Sequence, residues 1–152
     1  MCADYPSMTT AEIRSKFLNF FEERGLKLYP SSSLVPDDPS LLLANAGMNQ
    51  FKEYYQGKKT MKEIGAISCQ KCVRTNDIDC IGEDGRHLSF FEMLGDFSFG
   101  GVSKEQACAW AFELITKEFK LPLDRLYFTV FTEDDETCLL YTSPSPRDVE
   151  ES

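Results

Sequence analysis

The apolar residues of this chain recur with two periods, and the switches between them mark its elements. Thr9-Thr10-Ala11-Glu12 has the form of a capping box, with Thr9 as N-cap and Glu12 reaching back to it. Ile13, Phe17, Phe20 and Phe21 follow at helical spacing, and Gly25 suits the left-handed residue that stops a helix. The pattern predicts an opening helix of about four turns. Leu26-Lys27-Leu28-Tyr29 alternates like a strand, and Ser31-Ser32-Ser33 with Pro36-Asp37-Asp38-Pro39 marks a loop. Leu41 to Ala46 reads as a short strand. Met48 to Gln56 reads as a short helix closed by Gly57.

Residues 64–74, with Ile64, Ala66, Ile67 and Val73, read as a strand. Residues 86–99 hold Leu88, Phe90, Phe91, Met93, Leu94, Phe97 and Phe99 and read as another, buried on at least one face. Ser103-Lys104-Glu105-Gln106 is a second capping box. Ala107, Trp110, Ala111, Leu114 and Ile115 then share a helical face, and Pro122 ends the segment. Leu126 to Phe131 is strand-like by its aromatic and β-branched content. Strands clustered between helices predict an α+β fold with a mixed or antiparallel sheet rather than a βαβ repeat.

The composition narrows the class. With 152 residues, 42% hydrophobic and 12% aromatic, the chain has enough apolar content for one packed domain and is not a disordered protein. It has no apolar run of membrane-spanning length and no secretory signal, so a soluble cytoplasmic protein is expected. The net charge of −9 argues against general nucleic-acid binding, which requires clustered Lys and Arg. Six cysteines in a chain of this size are expected to be reduced thiols.

The ends read differently from the body. Residues 1–8 read as a leader, and Met8 is a candidate start, which would leave Met1–Ser7 ahead of the protein. At Thr137 the composition shifts: Cys138 to Asp148 is what one frame of a sequencing-library transposon adapter encodes, and Val149 to Ser152 fits a sample barcode with constant bases, so residues 138–152 form the expected tail. They are expected to be read-through rather than native protein. The body, residues 9–137, would then be part of a longer protein. Without the tail the chain holds 15 Lys+Arg against 22 Asp+Glu, a net charge of −7.

The chain has no P-loop, no dinucleotide-binding glycine fingerprint and no nucleophile elbow. A single histidine, His87, excludes multi-histidine metal sites. Gly100-Gly101 before the second helix is a possible anion site, although such a pair is usually a plain turn. Cys69, Cys72, Cys80 and His87 form a conceivable zinc set. On a strand, however, Cys69 and Cys72 fall on opposite faces, and ordinary structural cysteines are the better reading.

A second cluster has more to offer. Lys71, Arg74, Arg86 and His87 flank a turn rich in Asn76, Asp77, Asp79, Gly82, Glu83, Asp84 and Gly85, which is the layout of a hairpin with arginines on both arms. Arg86, Leu88, Phe90 and Glu92 would share one face of the second arm. Arginine for phosphate and a ring for a base would suit a nucleotide. A surface arginine with a core phenylalanine explains the pattern equally well.

Three stretches carry a family resemblance. They are Ala44-Asn45-Ala46-Gly47-Met48-Asn49-Gln50-Phe51-Lys52, Cys69-Gln70-Lys71-Cys72-Val73-Arg74, and Arg86-His87-Leu88-Ser89-Phe90-Phe91-Glu92-Met93-Leu94-Gly95-Asp96-Phe97-Ser98-Phe99-Gly100. Together with the opening helix and Ser31 to Pro36, they resemble the start of the alanyl-tRNA synthetases, a class II family. The resemblance covers residues 8 to 137.

It implies part of a catalytic domain built on an antiparallel sheet flanked by helices. It also implies an alanine–tRNA ligase reaction, in which ATP activates alanine to alanyl-adenylate and alanine then passes to tRNA(Ala). By resemblance, the opening helix and Leu26–Pro36 form the first class motif, and the hairpin from Lys71 to about Gly95 forms the second. Arg74 falls on the arginine that contacts the α-phosphate. Arg86 and His87 face the ATP phosphates, Phe90 stacks on adenine, and Mg2+ accompanies the ATP. Where many members carry a Gly-Gly-Lys-His-like loop, this chain runs from Arg74 straight into Thr75-Asn76-Asp77.

The third motif, the amino-acid pocket and the editing, tRNA-binding and zinc-binding parts of the family are expected beyond Thr137. No metal site is therefore expected within this chain, and the 152-residue polypeptide alone is expected to be inactive. The alternatives are a small zinc module on Cys69, Cys72, Cys80 and His87, or a non-catalytic synthetase-like partner protein. The oligomeric state is left open by the sequence.

Overall fold

A computed structural model describes residues 7–75 and 78–141. The expected leader therefore lies almost wholly outside the described residues. So do Asn76 and Asp77 of the hairpin loop and residues 142–152 of the expected tail. The described residues form two compact units, divided between Gly101 and Val102.

In the larger unit, α1 spans Thr10–Glu22. The capping box forms as expected: the Glu12 amide donates to Thr9 Oγ1, and the Thr9 amide donates to Glu12 Oε2 at 2.7 Å. The helix is followed by Gly25 at φ +88°, a conformation that costs a residue without Cβ nothing. Phe17, Phe20 and Phe21 are buried, and the rings of Phe17 and Phe21 meet edge-on at 5.0 Å.

The sheet has three strands: β1 (Lys27–Leu28), β2 (Gly65–Val73) and β3 (Phe90–Ser98), in the order β1-β2-β3. β1 runs parallel to β2, while β2 and β3 pair antiparallel. The sheet is thus mixed rather than purely antiparallel, and the fold is α+β as expected. The β2–β3 register pairs Lys71 with Glu92, Cys72 with Phe91 and Val73 with Phe90. Directly opposed residues share a face. One face therefore carries Ile67, Cys69, Glu92 and Phe90, and α1 packs against it through Arg14. The other carries Gln70, Cys72, Phe91, Met93 and Phe97.

Against that second face lies a 3-10 turn, Gly47–Phe51, which runs into α2 (Lys52–Tyr55) and ends before Gly57, as the sequence predicts. The Gly47 amide points at Met93 Sδ at 3.2 Å, and the Phe51 and Phe97 rings lie 4.8 Å apart. Phe51, Ile67, Gln70 and Cys72 are fully buried.

Three strand expectations need correction. Leu41–Ala46 forms no strand: Leu42 is 94% exposed, and the run meets β2 through one ladder-like bond, Val73 N–H to the Ala44 carbonyl at 2.9 Å. Residues 86–89 precede β3 rather than belonging to it, so Arg86 and Leu88 do not alternate with Phe90 and Glu92 on a strand face. No residue of β3 is fully buried. The third correction falls in the smaller unit.

There α3 (Lys104–Glu113) starts at Ser103, whose Oγ accepts from the Gln106 amide at 3.2 Å. It widens into a π-turn at Leu114–Glu118 and is over before Pro122. Of the predicted apolar face only Leu114 is buried. Leu126–Phe131 forms no strand, because no neighbour among the described residues offers it a ladder. Tyr127 is 81% and Phe131 70% exposed, although Phe128 reaches the Phe112 ring at 5.7 Å. β-propensity describes how a side chain fits a pleated surface, and the described residues offer this segment none. α4 (Asp135–Tyr141) follows, capped by Asp134 through the Thr137 amide and hydroxyl at 3.1 and 2.8 Å.

Candidate functional site

The hairpin of β2 and β3 holds most of the residues to which the sequence assigns chemistry. Arg74 sits one residue past β2, where its amide still donates to the Ser89 carbonyl at 2.9 Å. Its Nε donates to the Asn45 carbonyl at 3.0 Å, and its guanidinium lies over the Phe91 ring, 5.3 Å from the centroid. Among the described residues no carboxylate pairs with it. The Nη groups keep four N–H donors in the planar fork that matches an oxyanion.

Arg86 and His87 stand at the far end of the loop, before β3. Asp84 organises them: its Oδ1 accepts from the Arg86 and His87 amides at 2.8 and 3.0 Å, and its Oδ2 meets His87 Nδ1 at 2.5 Å. The backbone bond from His87, then that from Arg86, then the His87 ring pull the Asp84 carboxyl down to about 2. Sequence reasoning counted Asp84 only as loop filler. An Asp followed at two and three residues by donors is the Asx-turn signal that would have marked it.

Phe90 is half-exposed and opposite Val73. It projects from the α1 face, whereas Arg74 and Phe91 share the other. The structure does not bring Phe90 beside Arg74; the neighbouring ring is Phe91.

A buried polar hub lies two strand positions before Cys72. Gln70 is fully buried, and its Oε1 accepts from the Ser32 amide and hydroxyl and from Gln50 Nε2 at 2.8, 3.0 and 3.2 Å. Its Nε2 donates to the carbonyls of Lys71 and Ser32 at 2.8 and 3.2 Å. Ser32 and Gln50 line an open groove of ≈ 710 Å³, whose rim holds the Lys52–Asp38 ion pair at 2.5 Å. The Lys52 ammonium and the Ser40 donors hold Asp38 well below the usual carboxylate range.

The zinc module is not supported. Among the described residues no His, Cys, Asp or Glu cluster can hold a metal. The physical reason is the strand: Cys72 is buried on the Gln70 face, while Cys69 lies on the α1 face beside Arg14 and Glu92. Burial raises the pKa of both thiols, against the thiolate a metal would need. His87 is already engaged by Asp84. At the start of α3 the Ser103 hydroxyl satisfies the Gln106 amide, an ordinary cap in place of the anion site considered for Gly100-Gly101. No helix among the described residues is long and apolar enough to cross a membrane.

A hairpin with an oxyanion-ready arginine on a small α+β sheet is consistent with a nucleotide-activating enzyme, and comparison with known proteins gives the class. The family pattern described as tRNA synthetases class II (A) matches residues 12–147, and the chain belongs to that family. Its relatives are named alanine–tRNA ligase. One from Synechocystis sp. is 52% identical over 136 residues, covering 90% of this chain and 16% of that protein. The chloroplastic/mitochondrial alanine–tRNA ligase of Sorghum bicolor is 55% identical over 124 residues, 82% of this chain and 13% of that protein. The alanine–tRNA ligase of Pseudothermotoga lettingae is 52% identical over 130 residues, 86% and 15% respectively. The chain thus spans about a sixth of the length of the curated relatives it matches, or less.

Proposed function

We propose that this chain is the amino-terminal part of the catalytic domain of an alanine–tRNA ligase. In this reading ATP, carried with Mg2+, activates alanine to alanyl-adenylate, and tRNA(Ala) accepts the alanine. The observation that carries it is Arg74. Its relatives share a name and about half their residues with this chain, and the arginine on the family's phosphate-binding position is held with its donor fork open. Attack of the alanine carboxylate concentrates negative charge on the α-phosphate. A guanidinium held in place stabilises that charge more than it stabilises the ground state.

Arg86 and His87 are proposed to face the remaining phosphates, with Asp84 setting the turn that presents them. Phe90 keeps its assignment to adenine from the resemblance alone, and its place on the α1 face argues against it.

The test is alanine-dependent ATP–pyrophosphate exchange by the full-length protein restored from its locus. Exchange with alanine well above that with glycine or serine supports the reading. No exchange with alanine refutes it. Cell fractionation tests the cytoplasmic location that belongs to the same proposal, and recovery in an organelle, as the name of the sorghum relative would suggest, counts against it.

The adapter origin of residues 138–152 is likewise proposed, supported by the break in composition at Thr137. The family match runs on to residue 147, so the genomic codons after Thr137 decide the matter.

A further inference from the structure

His87 is the chain's single histidine, and one nitrogen of its ring is already engaged. Its Nδ1 lies 2.5 Å from Oδ2 of Asp84, and no other hydrogen bond or ion pair holds the ring among the described residues. The loop around it carries Asp79, Cys80, Glu83 and Arg86, and Arg74 stands at the end of the opposite arm. None of these pairs with the imidazole among the described residues. The Asp84 carboxylate also accepts from the Arg86 and His87 amides through Oδ1, so the turn and the ring depend on one group.

Asp84 is ionised at neutral pH, because the His87 and Arg86 amides, and then the His87 ring, hold its carboxyl down to about 2. A carboxylate accepts hydrogen bonds and donates none, so Nδ1 is the nitrogen that carries hydrogen. A neutral ring in that tautomer presents a bare lone pair at Nε2, which repels a phosphate oxygen. The imidazolium, with hydrogen on both nitrogens, bridges Asp84 on one side to a phosphate on the other.

We infer that Asp84 is a positioning residue that couples ATP binding to a proton: by occupying Nδ1 it lets His87 meet the phosphate only as the imidazolium. The inference rests on the reading of His87 given above. The proton comes from solvent as ATP binds, and no covalent bond of ATP changes in this step. Linkage then requires ATP to bind less tightly as pH rises and the ring of the free enzyme gives up that proton. Asparagine at position 84 reverses the arrangement. Its carbonyl oxygen still serves the two amides, while its NH2 donates to Nδ1. The neutral ring then keeps its hydrogen at Nε2, where the phosphate needs it.

The experiment measures the KM for ATP, at saturating Mg2+ and alanine, in pyrophosphate exchange by the full-length protein. Wild type, Asp84→Asn and His87→Ala are compared from about pH 7 to about pH 9. Proton uptake is read separately, by calorimetric titration with Mg2+–ATP in buffers of different ionisation enthalpy. The wild-type KM is expected to rise toward about tenfold per pH unit, with about one proton taken up per ATP at the alkaline end. Asp84→Asn should hold the rise to within about threefold over the whole range and abolish the uptake.

A wild-type KM that does not change with pH, without proton uptake, overturns the inference, and this arm needs no variant to fold. An equal rise in Asp84→Asn overturns it too, because the proton then does not depend on the carboxylate. His87→Ala separates the two readings. If it leaves the KM for ATP as in wild type, the phosphate contact of His87 falls. If it raises the KM near pH 7 while Asp84→Asn keeps the wild-type slope, the role of Asp84 falls alone.

Discussion

Arg14 in α1 and Glu92 in β3 are 78 positions apart in the chain, yet Nε and Nη2 of the arginine both donate to Oε2 of the glutamate, at 3.0 and 2.6 Å. This ion pair fastens the opening helix to the outer strand of the hairpin.

The Arg14 bond is the main reason the Glu92 carboxyl lies below the usual glutamate range. A lowered folded-state pKa contributes stability above the unfolded value, and the contribution is lost as pH falls through the folded one. Both side chains are about a third exposed, so solvent screens the pair. Glu92→Gln is expected to cost about 0.5–1 kcal/mol at neutral pH. Urea unfolding of the 152-residue chain with and without the substitution, at pH 7 and again near pH 3, should show the gap closing on acidification. A gap that widens would contradict the assignment.

Gln70→Leu is expected to be more damaging. It strips the acceptor from three donors, two on Ser32 and one on Gln50, in a place water does not reach. Leaving buried donors unsatisfied costs about 1–3 kcal/mol. Gln70→Glu keeps the acceptor but sets a buried carboxylate oxygen against the Ser32 and Lys71 carbonyls that Nε2 served, so in the same unfolding measurement it should be at least as damaging as Leu at neutral pH and recover in part as the carboxyl protonates on acidification.

Asp84 offers a test by nuclear magnetic resonance. Its carboxyl is held down to about 2, first by the His87 amide and then by the Arg86 amide and the His87 ring. The turn should therefore stay ordered as pH falls past the usual aspartate range and loosen only as Asp84 itself protonates. Amide exchange at Arg86 and His87 reports this. Asp84→Ala should show fast exchange at both amides already at neutral pH. Protection that persists in Asp84→Ala would show that the turn does not depend on the carboxylate.

Arg74→Ala is expected to reduce the exchange activity of the full-length protein by about a hundredfold to a thousandfold in kcat, the usual effect of removing one preorganised donor. Arg74→Lys keeps the charge but not the planar fork, and should recover only part of that loss. Full recovery by lysine would show that charge alone matters at this position.

The most legible parts of the sequence were those whose signals are local. Thr9 and Glu12 declare the start of α1, Gly25 lies just past its end, and the alternation on either side of the acidic turn declares the hairpin. Leu126–Phe131 misled because aromatic and β-branched content reports a preference that only a neighbouring strand can satisfy, and none lies within the described residues. Leu41–Ala46 misled for a related reason: its apolar run is partly spread over the surface, with Leu42 in solvent.

The site was legible as a list of residues and not as an arrangement. Period-two alternation assigns alternate residues to opposite faces, but which face of β3 meets Arg74 depends on the pairing of Cys72 with Phe91. A slip of one residue would exchange Phe90 for Phe91. Gln70 was quoted within a motif but drew no attention of its own, because a polar residue in a strand looks like an outward-facing one until its burial is seen.

The hold on Arg74 from the Asn45 side has a consequence for how this protein tolerates change. The acceptor is a main-chain oxygen, which every amino acid supplies. Its position comes from hydrogen bonds of Ala44, also through the main chain. Substitution of Asn45 therefore removes the side-chain bond it accepts from Asn49 but leaves the grip on the arginine in place. Position 45 can vary in identity under selection without moving Arg74, whereas a deletion or insertion between Leu34 and Asn45 would move it at once. Here the length of the loop, more than its composition, is the constrained property.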